Sequence, residues 1–553
     1  MANNTTVQVI PLGGIGEIGK NMFAVECRND IIVIDAGLKF PEDEMLGIDF
    51  VIPNISYLIE NRQRVRGIVL THGHEDHIGA VPFVLKEMDV PVYGTRLTLG
   101  ILQGKLEEHG LQAKTREISA GEQISLGKNF KIRFIRMNHS IPDGVALAIE
   151  TPVGVIIHSG DFKFDQTPVD GKVADYHTLA EYGQKGVLAL FCDSTNAHRP
   201  GYTPSERVVG RTFDAIFNKT RDRIIIASFA SNIHRIQQAF DTAQEYGRKV
   251  TVIGRSMVNN VRISSELGYL NYPENIYVEP EEICRIPAHK SLILSTGSQG
   301  EPLSGLTRMA KQSHNRVNIV PGDTVILSST PVPGNEKLVN RVIDGLSRAG
   351  AHVIAQGTAD VHVSGHASQE ELKLLMNLVR PRYVVPFHGE YRHLTACANL
   401  AEEVGVPRDN VFTITNGDIL EFNSAGAHIT GRVQAGVVLV DGLGIGDVGN
   451  VVLRDRQQLS LDGVLVVVVT IDKNTRTIKA GPDIITRGFV YVRESEDLIA
   501  QAEEQVRTSI QNCLQGEITE WSALKSAARD VLGSFLYERT KRKPMILPVI
   551  MEI

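Results

Sequence analysis

The segment THGHEDHIGA at 71 to 80 places His72, His74, Asp76 and His77 within six positions, directly after the apolar run GIVL. No other feature constrains the fold as strongly, because such groups are useful only if a scaffold brings distant partners to the same spot. Side chains two residues apart on an extended segment point the same way, so His72 and His74 can share one cation while Asp76 and His77 turn toward a second. Imidazole and carboxylate suit zinc or manganese, and no neighbouring thiolate competes for the ion. Gly73 permits close backbone approach, and IGAVPFVLKEM then begins a helix whose N-terminal end favours an anion. The alternative is a polar loop that happens to be rich in histidine, which 17 His in 553 residues make a poor account of this density.

Four residues cannot complete two coordination shells, so further ligands should stand where other apolar runs give way to loops. His139 follows FIRMN, Asp161 follows VIIHSG and His388 follows RYVVPF. Each alone could be an ordinary loop residue; with the first motif they form a set. The gap from Asp161 to His388 is far longer than one loop requires, which leaves room for an inserted domain.

Strand-like runs such as TVQVIPL, NMFAVEC, IIVIDAG and KIRFIRM alternate with helical stretches, the pattern of an α/β chain. The first strands come before any convincing helix and are split by tight turns such as RND at 28 to 30, which favours a mixed sheet. After about residue 205, strands feed helices, as in RIIIASFASNIHRIQQAFDTAQEYGRKVTVIG, which predicts a parallel βαβ module. A strand-turn pattern, RYVVPFHGEYRH, returns near 382. The glycine-rich DGLGIGDVGN at 441 to 450 reads as a connector, followed by LVVVVTI, GFVYVRE and a polar helix from Asp497 to about Cys513. The expected parts are 1–205 and 361–440 as two portions of one domain, 206–360 as the insert, 441–462 as a linker and 463–553 as a small C-terminal domain.

Composition sets limits. The 42% apolar share can form large cores, and a net charge of −7 excludes a broadly basic coat for gripping nucleic acid. A polyanion must be met locally. Cys27, Cys192, Cys284, Cys397 and Cys513 lie far apart and form no CxxC pair, which suggests a reduced cytosol and neither a disulfide framework nor a thiolate zinc site. The opening MANNTTVQV lacks a signal layout, and the apolar run around Val464 to Val469 is too short to span a bilayer, so the expectation is a soluble, unexported, cytoplasmic protein with no membrane partner.

GIGEIG is a decoy. Gly14, Gly16 and Gly19, with Asp35 further on, match a dinucleotide fingerprint. That fingerprint needs a crossover helix, whereas KNMFAVECRNDIIVID shows alternation, a turn and a second strand. A glycine turn between strands is the simpler reading.

On these residues the chain resembles the metallo-β-lactamase superfamily, and SGHA at 364 to 367 resembles its β-CASP nucleic-acid-processing branch. Over essentially its full length, including ITRGFVYVRE, it is similar to the bacterial ribonuclease J family; Ser159 stands where Thr is expected, which keeps the hydroxyl. The resemblance implies a metallo-β-lactamase αβ/βα sandwich, an inserted parallel α/β β-CASP domain and a small C-terminal α/β domain. It implies two Zn2+ per subunit, with Mn2+ or Mg2+ as substitutes. His72, His74, His139 and Asp161 would hold one ion, Asp76, His77, Asp161 and His388 the other, with Asp35 fixing a ligand imidazole from behind.

The resemblance further implies hydrolysis of single-stranded RNA, 5′ to 3′ from monophosphorylated ends and also internally, in RNA maturation and decay. His366 would protonate the leaving oxygen with Asp193 behind it. Ser231, Asn232 and His234, together with Ser364, Gly365, His366, Ala367 and Ser368, would line the phosphate pocket, although SNIHR could simply cap a helix. A homodimer or homotetramer and other RNA-processing proteins are the implied partners. Arg539, Lys541, Arg542 and Lys543 are a candidate RNA contact or a solvated face. Asp441 and Asp447 are a candidate calcium site or a hinge. The competing readings are a hydrolase of another substrate in the same fold, a catalytically silent RNA-binding scaffold, and a nucleotide-dependent oxidoreductase resting on GIGEIG alone.

Overall fold

A computed structural model describes residues 5–42, 44–332, 334–442, 444–472, 474–490, 495–516 and 520–553. The chain divides into two units, one of residues up to 40 with 50–438, the other of 41–49 with 439–553.

The larger unit is built on two mixed sheets. In the eight-stranded sheet, Val7–Gly13, Met22–Cys27 and Asp30–Ile34 run antiparallel, and Val65–Val69, Val92–Gly94 and Thr115–Glu117 then continue parallel to Asp30–Ile34. In the six-stranded sheet, Pro381–Phe387 and Val187–Asp193 lie parallel beside Val155–His158, followed by the antiparallel Val145–Glu150, Phe130–Arg136 and Gln123–Leu126. The period of two decides which side chains meet. Along Val145–Glu150, Val145, Leu147 and Ile149 enter the core shared with Val9, Val25 and Ile32 of the other sheet, while Ala146 and Ala148 face the helix-side core. Small residues there admit the helices Tyr176–Lys185, Gln369–Val379 and Tyr391–Glu403, which contribute Leu179, Leu375 and Cys397.

Between Val187–Asp193 and Pro381–Phe387 the chain forms a separate five-stranded, wholly parallel sheet, ordered Lys249–Ile253, Ser291–Ser295, Ile224–Ala227, Thr324–Leu327, His352–Ala355. Runs such as IIIA and TVIL are buried along their whole length, as strands covered on both faces must be. The fold class is therefore the expected sandwich with a parallel α/β insert and a small α/β unit after it. GIGEIG is a turn: Gly14, Gly16 and Gly19 all have positive φ, and the strands it joins are antiparallel neighbours.

In the smaller unit, Thr477–Arg487, Val464–Asp472 and Met545–Glu552 form a sheet. Helices Glu496–Gln515 and Trp521–Thr540 present Ala502, Val506, Ile510 and Leu524, Ala528, Leu532 at intervals of four to Leu465, Val467 and Val469. The expected connector at 441–462 needs correction: its second half is the helix Asn450–Asp462, and Arg456 pairs through Nη2 with Asp441 Oδ2 at 2.5 Å. That pairing answers the carboxylate proposed for calcium, and among the described residues Asp441 and Asp447 belong to no group of three metal-ligating side chains. Leu443 of DGLGIGDVG, Tyr491–Glu494 of ITRGFVYVRE and Met1–Asn4 lie outside the described residues. In the basic run, Arg542 donates to Phe489 O at 2.7 Å, Arg539 to Gln501 Oε1 at 3.1 Å, and Lys541 and Lys543 lie over the Tyr537 ring. Among the described residues no helix is long and apolar enough to cross a membrane, and there is no disulfide.

Candidate metal centre

The seven side chains named from sequence arrive at one place in the larger unit, five from loops just beyond strand ends and two from a short helix. Thr71 to His74 follow Val65–Val69, and a short helix, Glu75–Ile78, carries Asp76 and His77. The extended geometry expected for all four is not kept: the backbone bends at Thr71 and Gly73, and Asp76 and His77 are helical. His139 follows Phe130–Arg136, Asp161 follows Val155–His158, and His388 follows Pro381–Phe387 with φ of 53°. The His388 N–H donates to Gly14 O at 2.7 Å, so the GIGEIG turn holds this unusual conformation.

Two groups of ligand atoms, each mutually within 4.8 Å, can hold an ion: His72, His74 and His139, and Asp76, His77, Asp161 and His388. Asp161 Oδ2 lies 3.2 Å from His77 Nε2, 3.3 Å from His388 Nδ1 and 4.0 Å from His72 Nε2, and so stands between them. A third group was not foreseen as such: Asp161 and His388 with Asp193 and His366. In it His366 Nδ1 is 2.7 Å from Asp193 Oδ2.

Hydrogen bonds behind the rings set their tautomers. Asp35 Oδ2 accepts from His77 Nδ1 at 2.7 Å and from Thr71 Oγ1 at 2.8 Å, while Oδ1 accepts from Thr71 N at 2.8 Å. With its proton committed to Asp35, Thr71 Oγ1 accepts from His72 Nδ1 at 3.0 Å, which leaves His72 Nε2 bare. His139 Nδ1 donates to Gly365 O at 2.8 Å. Thr195 Oγ1 donates to His388 O at 2.7 Å and accepts from His388 Nδ1 at 3.0 Å. Buried polar atoms are normally paired, yet His72 Nε2 and Asp161 Oδ1 have no partner. A bare imidazole nitrogen and a free carboxylate oxygen, both aimed into a nest of donors of the right kind, fit divalent cations.

The electrostatics divide the nest. Burial and the neighbouring imidazoles push His72 and His139 well below the usual histidine range, and His74 falls to about 4, also through burial. Burial alone would do the same to His388, but Asp161, Asp193 and Asp76 outweigh it and hold His388 up at about 10; Asp161, Asp76 and Asp35 likewise hold His77 well up. Asp76, Asp161 and Asp193 are held below the usual carboxylate range against their burial by His77, His388 and His366.

The residues read as lining a phosphate pocket separate into two sets. Ser231, Ser364, Gly365 and His366 are partly accessible. Asn232, His234, Ala367 and Ser368 are buried. Asn232 Oδ1 caps its helix through Arg235 N at 3.2 Å, Ser368 Oγ pairs with Thr203 Oγ1 at 2.9 Å, and Ala367 joins the helix-side core.

Sequence reasoning missed Thr71 and Thr195, as well as Asn21, whose Nδ2 lies 3.2 Å from Asp76 O and 3.1 Å from His77 Nε2. It also missed Arg235. That side chain is fully buried, is bidentate to Glu206 at 2.9 and 3.0 Å, and donates to His362 Nδ1, Ser328 O and Val363 O. It bolts the start of the insert, the helix after SNIH, and the segment leading into SGHA. Thr71 beside the first histidine motif was the one legible signal.

Four family descriptions match the chain in succession: metallo-beta-lactamase superfamily at residues 15–227, ribonuclease J beta-CASP domain at 221–346, Zn-dependent metallo-hydrolase RNA specificity domain at 350–413, and ribonuclease J C-terminal domain at 451–553. The chain is 50% identical over 554 aligned positions to ribonuclease J2 of Bacillus subtilis, covering 100% of this chain and 99% of that one. It is 47% identical to ribonuclease J 1 of Streptococcus pyogenes, with 99% and 97% covered. A solved Enterococcus faecalis protein of unknown function shares the fold at 15% identity and a TM-score of 0.53, covering 75% of this chain and 99% of that one.

Proposed function

Since the chain belongs to the ribonuclease J family, we propose that it is a two-metal ribonuclease acting on single-stranded RNA, both 5′ to 3′ from monophosphorylated ends and internally. The observation that carries the reading is the convergence of His72, His74, Asp76, His77, His139, Asp161 and His388 around two unpaired buried ligand atoms.

His72, His74, His139 and Asp161 would hold one ion and Asp76, His77, Asp161 and His388 the other. Two divalent cations, zinc by the donor set, would supply a water activated at neutral pH and neutralise charge on the phosphate. The chain's own groups do the rest. Asp35 and Thr71 keep His77 and His72 in the tautomers that face inward. His366, partly exposed at the rim, gives a proton to the leaving 3′ oxygen, and Asp193 orients it. Ser231 and Ser364 donate to backbone phosphates and favour a 5′-monophosphate over a bulkier end. The reading extends to a homodimer or homotetramer, to association with other RNA-processing proteins and to a cytoplasmic location.

The test is RNA labelled at its 5′ end and supplied with Zn2+ or Mn2+. Release of labelled mononucleotide from a monophosphorylated strand, together with internal fragments from a triphosphorylated one, is expected. Absence of both kinds of product overturns the proposal.

A further inference from the structure

Among the described residues, two places where the inserted lobe meets the metal-bearing part stand out. One is the crossing segment bolted by Arg235. The other lies beyond the helix Arg255–Glu266, where the Tyr269 hydroxyl donates to Asp143 Oδ2 at 2.5 Å, with Lys172 Nζ 5.8 Å from the centre of the tyrosine ring. Asp143 belongs to the loop that carries His139 and adopts a positive φ of 69°. Among the described residues, this is the one side-chain hydrogen bond from the 255–269 segment to the metal-bearing part.

A glycine marks the same contact. Gly100 sits inside the helix Arg96–Glu108, where glycine weakens a helix. A Cβ there would lie 2.6 Å from Leu267 Cδ1 and 3.1 Å from Ile263 Cγ2, so a larger residue at 100 must displace the Leu267 and Ile263 side chains of the inserted lobe. The same helix reaches the metal loop. A Cβ at Gly73 would lie 3.2 Å from Ile101 Cδ1 and 3.3 Å from Ile141 Cδ1. The seat is thus one side chain away from His72 and His74.

We propose that Tyr269, Asp143 and Gly100 form a catch that holds the inserted lobe closed, and that this catch governs how RNA reaches the metals. With the catch made, a strand gains access by threading its 5′ end; with it released, the lobe lifts from its Arg235 side and a strand without ends can be laid into the cleft. Both Tyr269 and Asp143 are partly accessible, so the bond can exchange with water, whereas the Arg235 pairing is wholly buried. The inference rests on the nuclease reading above.

The test compares a circular single-stranded RNA with a linear 5′-monophosphorylated RNA of the same sequence. In Tyr269→Phe and Asp143→Ala, cleavage of the circle relative to the line should rise roughly tenfold, the order of one hydrogen bond to a charged group, and in Gly100→Ala it should rise as well. Hydrogen exchange of residues 137–144 and 255–269, read on the same proteins without RNA, should quicken in all three. Unchanged exchange together with an unchanged ratio overturns the catch. If the wild type cuts neither RNA, the nuclease reading has failed, and exchange alone then decides whether the catch exists.

Discussion

His139 Nδ1 donates to the carbonyl of Gly365 at 2.8 Å, so a candidate metal ligand in one part of the sandwich is oriented by the backbone of the SGHA segment. A Cβ at position 365 would lie 2.6 Å from His139 Cε1 and 2.8 Å from Nδ1. Gly365→Ala must therefore push the ring away from its carbonyl. Disturbing such a supporting group typically lowers metal affinity by about 10- to 100-fold. Elemental analysis should find one ion per chain lost from Gly365→Ala while circular dichroism stays native. Two retained ions would show that Gly365 has no part in holding His139.

His366 and Asp193 are hydrogen-bonded to each other and belong to neither of the two primary ligand groups, although Asp193 Oδ1 lies 3.7 Å from His388 Nδ1. Asp193→Asn should keep its metal content and lose roughly 100- to 10,000-fold in kcat, the usual range for a positioned acid. His366→Asn should fall equally, and the double variant no further than either single one. Additive losses in single-turnover assays would mean that the two act separately.

What was legible followed from period and punctuation. THGHEDH, His139, Asp161 and His388 stand at the ends of strongly apolar runs, and a strand end is where a sheet delivers a side chain to a site. Gly14, Gly16 and Gly19 were readable as a turn because a second strand follows too soon for a helix. Residues whose partners are remote in sequence were not readable. Nothing near Tyr269 in the chain points to Asp143, and Arg235 looks like any helical arginine until Glu206, His362 and Val363 close around it. Ser368 and Ala367 had the composition of a phosphate loop, yet the chain turns into the helix Gln369–Val379 there and buries both. The helix at 450–462 has no buried face to give its pattern away.

The two ligand groups differ in what occupies them without metal. His72, His74 and His139 are held low and are neutral near neutral pH, so an ion finds free lone pairs. His388, held up at about 10 by its carboxylates, keeps its proton until pH rises through that value, so an ion must displace it. Affinity at the group containing His388 should therefore fall about tenfold for each pH unit lowered per proton displaced, and the other group should be nearly indifferent. Calorimetric titration of metal-free protein with Zn2+ in buffers of different ionisation heat measures the protons released in each step. Equal release in both steps would contradict this division.

Arg235, paired with Glu206 inside the insert, reaches His362 and Val363 in the segment leading into SGHA, and both members of the ion pair are buried. Their mutual hydrogen bonds offset the cost of taking two charges out of water, and the outcome is unfavourable if one is left alone. Arg235→Met leaves the buried Glu206 carboxylate with no closer cation than Lys163 Nζ at 4.0 Å and should cost about 3–5 kcal/mol. Glu206→Gln strands the guanidinium and should cost a similar amount. Combining Arg235→Met with Glu206→Leu removes both charges and should recover much of the loss, since an apolar pair of similar volume is often no worse than an ion pair. Chemical denaturation separates these outcomes. If the double variant is as unstable as the sum of the singles, the pair is not a coupled unit and the joint must draw its strength from the Ser328 and Val363 carbonyls that Arg235 also reaches.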